Sequence, residues 1–408
     1  MTNKRKIIND PVYGFLTIED DLIFDVLQHP YFQRQRHIKQ LGLTYLVYPG
    51  AVHNRFSHML GALNLMCRAI DVLKMKGVQM THDEELGVKL AILLHDIGHG
   101  PFSHTSEFVL VNVHHEVFSS MFMRRLNEQF GGRLETAIAI FEDTYPKRYL
   151  HQLVSGQLDM DRLDYLSRDS FYSGVSEGIV GTERIINMLN VRNDELVVDE
   201  KGVYSIEKFI ISRRLMYWQV YMHKTVIAAD SMLLSVLRRA RNLVEQGVRV
   251  EGPQPLMEFL GNRYTKEDFE RDRSLLDKFA MIDDTDVTTA IKGWMLHDDF
   301  ILRTLATNLI NRRLPAIREG EQPFDGDYLE TQKSRTQLLY AIDEADADYF
   351  VTTGRLQNHA YDFNDREIKV LFKTGEVKSI SEASDQLDRH FLEKSVTKYY
   401  ITFPKELK

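Results

Sequence analysis

Cysteine is nearly absent: Cys67 is the single one among 408 residues. An intrachain disulfide framework and a Cys-ligated zinc site are thereby excluded. No apolar run approaches the roughly 18–20 residues that would span a bilayer. The opening residues MTNKRKIINDP lack the apolar stretch of a secretion signal. The expected compartment is therefore cytoplasmic, with no membrane partner. Excess positive charge is missing too. The chain has 51 Lys and Arg against 59 Asp and Glu, a net charge of −8. That argues against a general nucleic-acid coat, while a local basic pocket for nucleic acid stays open.

What remains is ordinary globular material, 43% hydrophobic and 27% charged, long enough for about two to three domains and a sizeable core. Apolar residues recur at helical spacing over 18–28, 31–41, 57–76 and 83–96. The last of these starts acidic, turns apolar, and is stopped by Gly98, Gly100 and Pro101. Further helical patterns cover 115–130, 133–142, 148–156, 181–191 and one long run, 205–246. Residues 192–204 read as a small hairpin around a DEKG turn. Residues 313–328 hold Pro, Gly and charges and read as a loop or boundary. Beyond it come short strand-like segments (DYFVTTG, REIKVLF, EVKSI, KYYITF) and a helix near 381–394. The expected fold class is mainly α: a helical bundle over 1–312, followed by a small C-terminal α+β region over 329–408.

Histidine is plentiful, at 15 residues, so transition-metal chemistry would run through imidazoles and carboxylates. His95-Asp96 ends an apolar helix, where a neutral imidazole and a carboxylate can turn to one divalent ion. Alone, such a pair is more often a hydrogen-bonded helix end. The neighbourhood changes the odds: His99 lies one turn on, His104 and Glu107 follow, His53 and His58 precede, and His114-His115-Glu116 come after. An acidic run, Asp159-Met160-Asp161-Arg162-Leu163-Asp164, closes the set. Each histidine singly reads as a satisfied polar residue. Crowded into 53–115, they argue for a metal and acid/base site.

The pattern H…HD…D resembles the HD-domain superfamily of metal-dependent phosphohydrolases. The longer strings YLVYPGAVHNRFSHMLG, LLHDIGHGPFSH and DMDRLDYLSRD resemble its deoxynucleoside triphosphate triphosphohydrolase branch, which includes the vertebrate sterile-alpha-motif/HD-domain enzyme and bacterial relatives. The similarity runs from Lys6 to about Asp230. It implies His58, His95, Asp96 and Asp161 as ligands of one divalent metal (iron, manganese, zinc or nickel), with magnesium as a second ion alongside substrate. It places His99 beside the phosphates. It makes His104 with Glu107, or His115 with Glu116, the proton-handling pair, and the first is preferred. His114 reads better as a helix cap.

The same resemblance puts Arg55, Arg162 and Arg213 on the polyphosphate, and Tyr165 and Asp169 on the sugar. Gln40, Leu41 and Tyr221 would read the 3′-hydroxyl and crowd out a 2′-hydroxyl. Arg162 replaces a lysine of the relatives, and Tyr217 and Met222 replace polar residues near the base. Gln28 stands where the vertebrate enzyme has an acidic residue for an activating guanine nucleotide, although Lys6 and Arg36 remain. Expected partners are thus a deoxynucleotide substrate, copies of the chain in a homo-oligomer, and a nucleotide activator.

The expected activity is metal-dependent hydrolysis of deoxynucleoside triphosphates to deoxynucleoside and inorganic triphosphate. Two rivals stand beside it. One is an HD-type nucleotide monophosphatase or phosphodiesterase. The other is a non-catalytic nucleotide- or nucleic-acid-binding HD protein.

Overall fold

The structure is a computed structural model that describes residues 6–105, 107–359, 361, 367–387 and 395–408. Turn chemistry builds its first element. β1 (Lys6–Asp10) and β2 (Gly14–Ile18) pair antiparallel. The Asp10 carboxylate accepts from the Val12 and Tyr13 amides at 2.9 and 3.0 Å, and Gly14 takes a φ of +77° that side chains disfavour.

Four helices frame the histidine-rich segment. Arg55–Met75 is capped by Asn54, whose side chain accepts from the Ser57 amide. His82–Leu94 starts with a reciprocal Thr81–Glu84 capping box. Met160–Ser173 is capped by Asp159 and ends at left-handed Gly174. Helix 55–75 packs on both 82–94 and 160–173, and 82–94 packs in turn on Glu135–Phe141. One continuous apolar core runs from Leu16 to Leu387. A smaller cluster of Ala316, Val351, Ile401 and Phe403 lies under a C-terminal sheet. The observed class is mainly α with small sheets, as expected.

Local expectations were corrected in four places. The helix read over 31–41 is one α turn, Pro30–Gln33, and a 3-10 turn, Arg34–His37. It stops there because Ile38 and Gln40 pair by backbone hydrogen bonds with Arg55 and His53. The long run 205–246 is broken into Val203–Met216, a π turn over Tyr217–Tyr221, and Lys224–Glu245. The two arms are bent by 55°. Wide turns of this kind often sit at functional sites. The hairpin is β3 (Leu189–Arg192) with β4 (Glu195–Asp199). It turns at Asn193-Asp194, both at positive φ, rather than at DEKG, because a two-residue turn matches strand twist. The stretch 313–328 contains a strand, β5 (Ala316–Gly320).

β5, β6 (Thr352–His359) and β9 (Ser395–Phe403) form one antiparallel sheet in the order β5-β9-β6. β7 (Lys369–Leu371) and β8 (Val377–Ser379) extend the hairpin into the order β3-β4-β7-β8. Of the helix expected near 381–394, one turn is seen at Ile380–Ala383, and residues 388–394 lie outside the described set. Among the described residues no single helix is long and apolar enough to cross a membrane.

Candidate active site

The end of helix 82–94 is shaped by a close approach. A Cβ on Gly98 would lie 2.2 Å from the His115 carbonyl oxygen, so only glycine lets the turn after Asp96 meet helix His115–Gln129. Ser119 locks that meeting: its hydroxyl donates to the His95 carbonyl at 2.7 Å and accepts from the Gly98 amide at 3.0 Å. His95 Nδ1 donates to the Ile92 carbonyl at 2.6 Å, which leaves Nε2 facing inward.

His58 is set in the same manner from the facing helix. Its Nδ1 donates to Asp164 at 2.7 Å, and Asp164 is clamped by Arg168 at 2.9 and 3.0 Å. Arg168 in turn reaches Asp10 at 2.8 Å. Gly61 makes room for this clamp, since a Cβ there would sit 2.0 Å from an Asp164 oxygen. The two free Nε2 atoms converge on Asp161, His58 at 3.0 Å and His95 at 3.3 Å. Asp96 comes within 3.6 Å of both rings.

This group fits a divalent metal. Both Nε2 atoms are buried and lack a hydrogen-bond partner among the described residues, and each ring is held from behind through Nδ1, the arrangement that ligation through Nε2 needs. Burial opposes a proton on His58, yet the adjoining Asp161 and Asp164 carboxylates outweigh it and lift the ring to about 10. Asp161 is held well below the carboxylate range: burial would raise it, and His95 and His58 more than offset that. The carboxylates thus draw positive charge to the point where the two Nε2 atoms meet, and a divalent cation there would take the place of the ring protons. Mixed nitrogen and oxygen donors suit a borderline transition metal.

A cleft of about 350 Å³ opens beside this group. Asp96, Asp161, Arg55, His99, His104 and His115 line it, together with Gln40, Leu41, Tyr165, Asp169, Tyr217 and Tyr221. Buried Arg55 pairs with Asp96 and donates to Ser103 at 2.9 Å. His99 is pushed well below its ordinary range, by burial first and by Arg55 second, so it faces the cleft as a neutral ring. It stacks on His115 at 3.9 Å between centroids and meets His104 edge-on at 4.7 Å.

Glu107 is the hub of the proton-handling residues. It accepts from His115 Nδ1 at 2.7 Å and contacts His104 Nδ1 at 3.2 Å. The expected pairing of His115 with Glu116 is corrected. Glu116 is 70% exposed and reaches only toward His114, at 3.8 Å. His114 holds the N-cap position of helix 115–129 without a side-chain cap bond. Asp169 is held from two sides, by His53 at 2.7 Å and by the Tyr221 hydroxyl at 2.7 Å. The Gln40 side-chain oxygen is buried at the cleft wall with no hydrogen-bond partner among the described residues.

Two expected phosphate ligands do not line the cleft. Arg162 is tied to Asp159 at 2.5 Å, and Arg213 to Gln157 at 3.2 Å. Conversely, Asp164, Arg168 and Asp230 carried no role by sequence, and His53 counted only as one of the crowded histidines. Asp164 was visible only as one more acid in DMDRLD, and nothing local marks Asp230, which the bend at 222–223 carries into the cleft.

The comparisons agree with this geometry. The HD-domain family profile matches residues 55–169, and an HD-associated region matches 180–251. The chain is 48% identical to a phosphohydrolase of known structure from Bacteroides thetaiotaomicron, covering 98% of this chain and 99% of that one, with a TM-score of 0.95. The chain belongs to the HD-domain phosphohydrolases. This HD phosphohydrolase is also 32% identical to the Bacillus subtilis protein YwfO, across 99% of this chain and 93% of that one. It is 29% identical to the Dictyostelium discoideum homolog of the deoxynucleoside triphosphate triphosphohydrolase SAMHD1, over 61% of this chain and 52% of that protein. The metal cluster, assembled from helices 55–75, 82–94 and 160–173, falls wholly inside the matched HD segment.

Proposed function

We propose that this HD phosphohydrolase cleaves deoxynucleoside triphosphates into deoxynucleoside and inorganic triphosphate. The observation that carries the reading is one continuous cleft lined both by Asp96 and Asp161 of the candidate metal cluster and by Tyr165, Asp169 and Tyr221. His58, His95, Asp96 and Asp161 would hold a divalent ion, which when bound would supply Lewis acidity toward water and phosphate oxygens.

The chain's own residues do the remaining work. Arg55 offsets phosphate charge at the cluster. Neutral His99 donates a hydrogen bond to a phosphate oxygen without adding charge. His104 is 69% exposed at the ring, so bulk water can return a proton to it, and Glu107 orients it. We assign it as the donor to the leaving 5′ oxygen, with His115 on the same carboxylate held against the phosphates. On the same cleft wall Asp169 accepts from the 3′-hydroxyl, and Tyr221, fixed by that carboxylate, fills the space a 2′-hydroxyl would need. Gln40 offers its unbonded oxygen to the same edge.

Product analysis on purified, Mn²⁺-loaded protein with each deoxynucleoside triphosphate tests the reading. Inorganic triphosphate together with deoxynucleoside supports it, and release of orthophosphate alone refutes it.

One observation favours a second reading. Among the described residues Arg55 is the only Arg or Lys lining the cleft, since Arg162 and Arg213 are engaged elsewhere. A single cation suits fewer phosphates, as in a nucleotide monophosphatase or phosphodiesterase. Turnover of monophosphates or cyclic nucleotides at rates above those of triphosphates would establish it.

A further inference from the structure

A second cavity, of about 270 Å³, lies behind the cleft, between helices 224–245 and Phe300–Ile310 and the β5-β9-β6 sheet. Its lining has three parts. Ser231 and Ser235, both buried, give it hydroxyls for which no protein hydrogen bond is found among the described residues. Tyr340, Tyr349 and Phe350 form an aromatic wall. Arg312, Arg313 and Lys405 stand at the mouth against one carboxylate, Glu406.

These cations are not spent on the protein. Arg313 and Lys405 have no side-chain ion pair or hydrogen bond among the described residues, and Arg312 uses only Nε, donating to the Leu46 carbonyl at 2.7 Å. Their placement is also specific. Helix 300–310 ends with the Arg313 amide bonded to the Asn308 carbonyl at 2.7 Å, while Arg312 sits at φ +55°, where glycine is the favoured residue. An arginine there gives up backbone comfort and puts a guanidinium at the cavity mouth.

We propose that this cavity binds a nucleoside monophosphate. The ring would lie on the aromatic wall, the sugar hydroxyls on Ser231 and Ser235, and the phosphate among Arg312, Arg313 and Lys405. Its size admits one ring system and a short phosphate and excludes a polymer. Two physical links join it to the cleft. Helix 224–245 turns Val226 and Asp230 to the cleft and Ser231 and Ser235 to the cavity. Arg312 holds Leu46, the last residue of the Gly42–Leu46 turn, whose Gly42 and Thr44 line the cleft. A bound ligand that drew Arg312 to its phosphate would therefore act on a wall of the cleft.

The test does not rest on the chemistry of the cleft, because binding is read without turnover. Adenosine and guanosine 5′-monophosphate, and inorganic phosphate as control, are titrated calorimetrically into the full-length, metal-loaded protein. The comparison variants are Arg313→Glu/Lys405→Glu, which changes exposed residues only, and Ser235→Leu, which fills the cavity. The expected result is binding of at least one nucleotide below about 1 mM, weakened by about tenfold or more in the charge-reversal variant. Ser235→Leu should weaken it as well. Binding unchanged in the charge-reversal variant would assign the nucleotide to the cleft and overturn the proposal. Absence of binding, or phosphate binding as tightly as the nucleotides, would overturn it too.

Discussion

His58 gives one ring nitrogen to Asp164 at 2.7 Å, and its other nitrogen, buried and unbonded, faces Asp161 at 3.0 Å. The carboxylate behind the ring therefore decides what the ring can do in front. Asp164 fixes the tautomer and the angle, and Arg168 fixes Asp164.

Removing that support should show in metal content before it shows in fold. Asp164→Asn keeps the size but weakens the acceptor. It is expected to lower metal affinity by about 10- to 100-fold, the usual effect of losing such a partner. Metal analysis of purified protein after dialysis reads this directly. Retention of metal at the wild-type level after equal dialysis would contradict the role given to Asp164.

The close approach at Gly61 makes a separate, structural prediction. Gly61→Ala would push a Cβ to within 2.0 Å of Asp164 and 2.2 Å of Arg168, both fully buried. The expected cost is about 1–3 kcal/mol of stability, as for other overpacked cores. Urea denaturation measures it, and an unchanged midpoint would show that the clamp can shift.

Glu107 serves two histidines, so its loss should exceed the loss of either one. In Glu107→Gln, kcat is expected to fall by about 10²- to 10⁴-fold, with a smaller change in KM. His104→Ala should match that fall more closely than His115→Ala if His104 is the proton donor. The reverse order would move the role to His115.

Metal stripping should destabilise the chain. The cluster joins residues from helices 55–75 and 160–173 and from the end of 82–94, so a ligand bound only in the folded state adds stability by mass action. At a free metal concentration of about 100 times Kd the gain is roughly 2.7 kcal/mol. A chelator should lower Tm in the wild type and hardly at all in Asp161→Ala. An equal drop in both proteins would place the effect elsewhere.

Asp230 carries a pH prediction. Burial pushes its carboxyl up to about 7, and the Thr105 contact only partly opposes this. The folded state thus holds this proton more tightly than the unfolded chain, whose carboxyl titrates near 3.9. Its contribution to stability is full below the unfolded value and is lost as pH rises toward 7. Asp230→Asn removes the titration, so its Tm advantage over wild type should be small near pH 4.5 and should grow up to about pH 7.5. An advantage that is flat with pH would contradict the assignment.

Much of the site was legible in the order of residues. His95-Asp96-Ile97-Gly98-His99 is a local pattern: a helix end, a breaker and one turn of spacing place these side chains together wherever the helix goes. The resemblance added His58 and Asp161, which lie far from His95 in the chain. Other features depended on contacts between distant segments. His115 pairs with Glu107 rather than with its neighbour Glu116 because the Glu107–Leu110 turn folds back on helix 115–129. The helix read over 31–41 lost to backbone pairing with 53–55.

By itself the sequence determined the helical class and the exclusion of an intrachain disulfide and a Cys-ligated zinc site, since residue type and short-range periodicity carry those, while the donor set for a metal came from the resemblance. Only the tertiary structure decided which nitrogen of His58 is free, that Arg162 and Arg213 are held away from the cleft, and that a break at residues 217–223 turns Tyr221 and Asp230 into it. Orientation and partner choice are set by packing between segments far apart in the chain, and no local pattern encodes them.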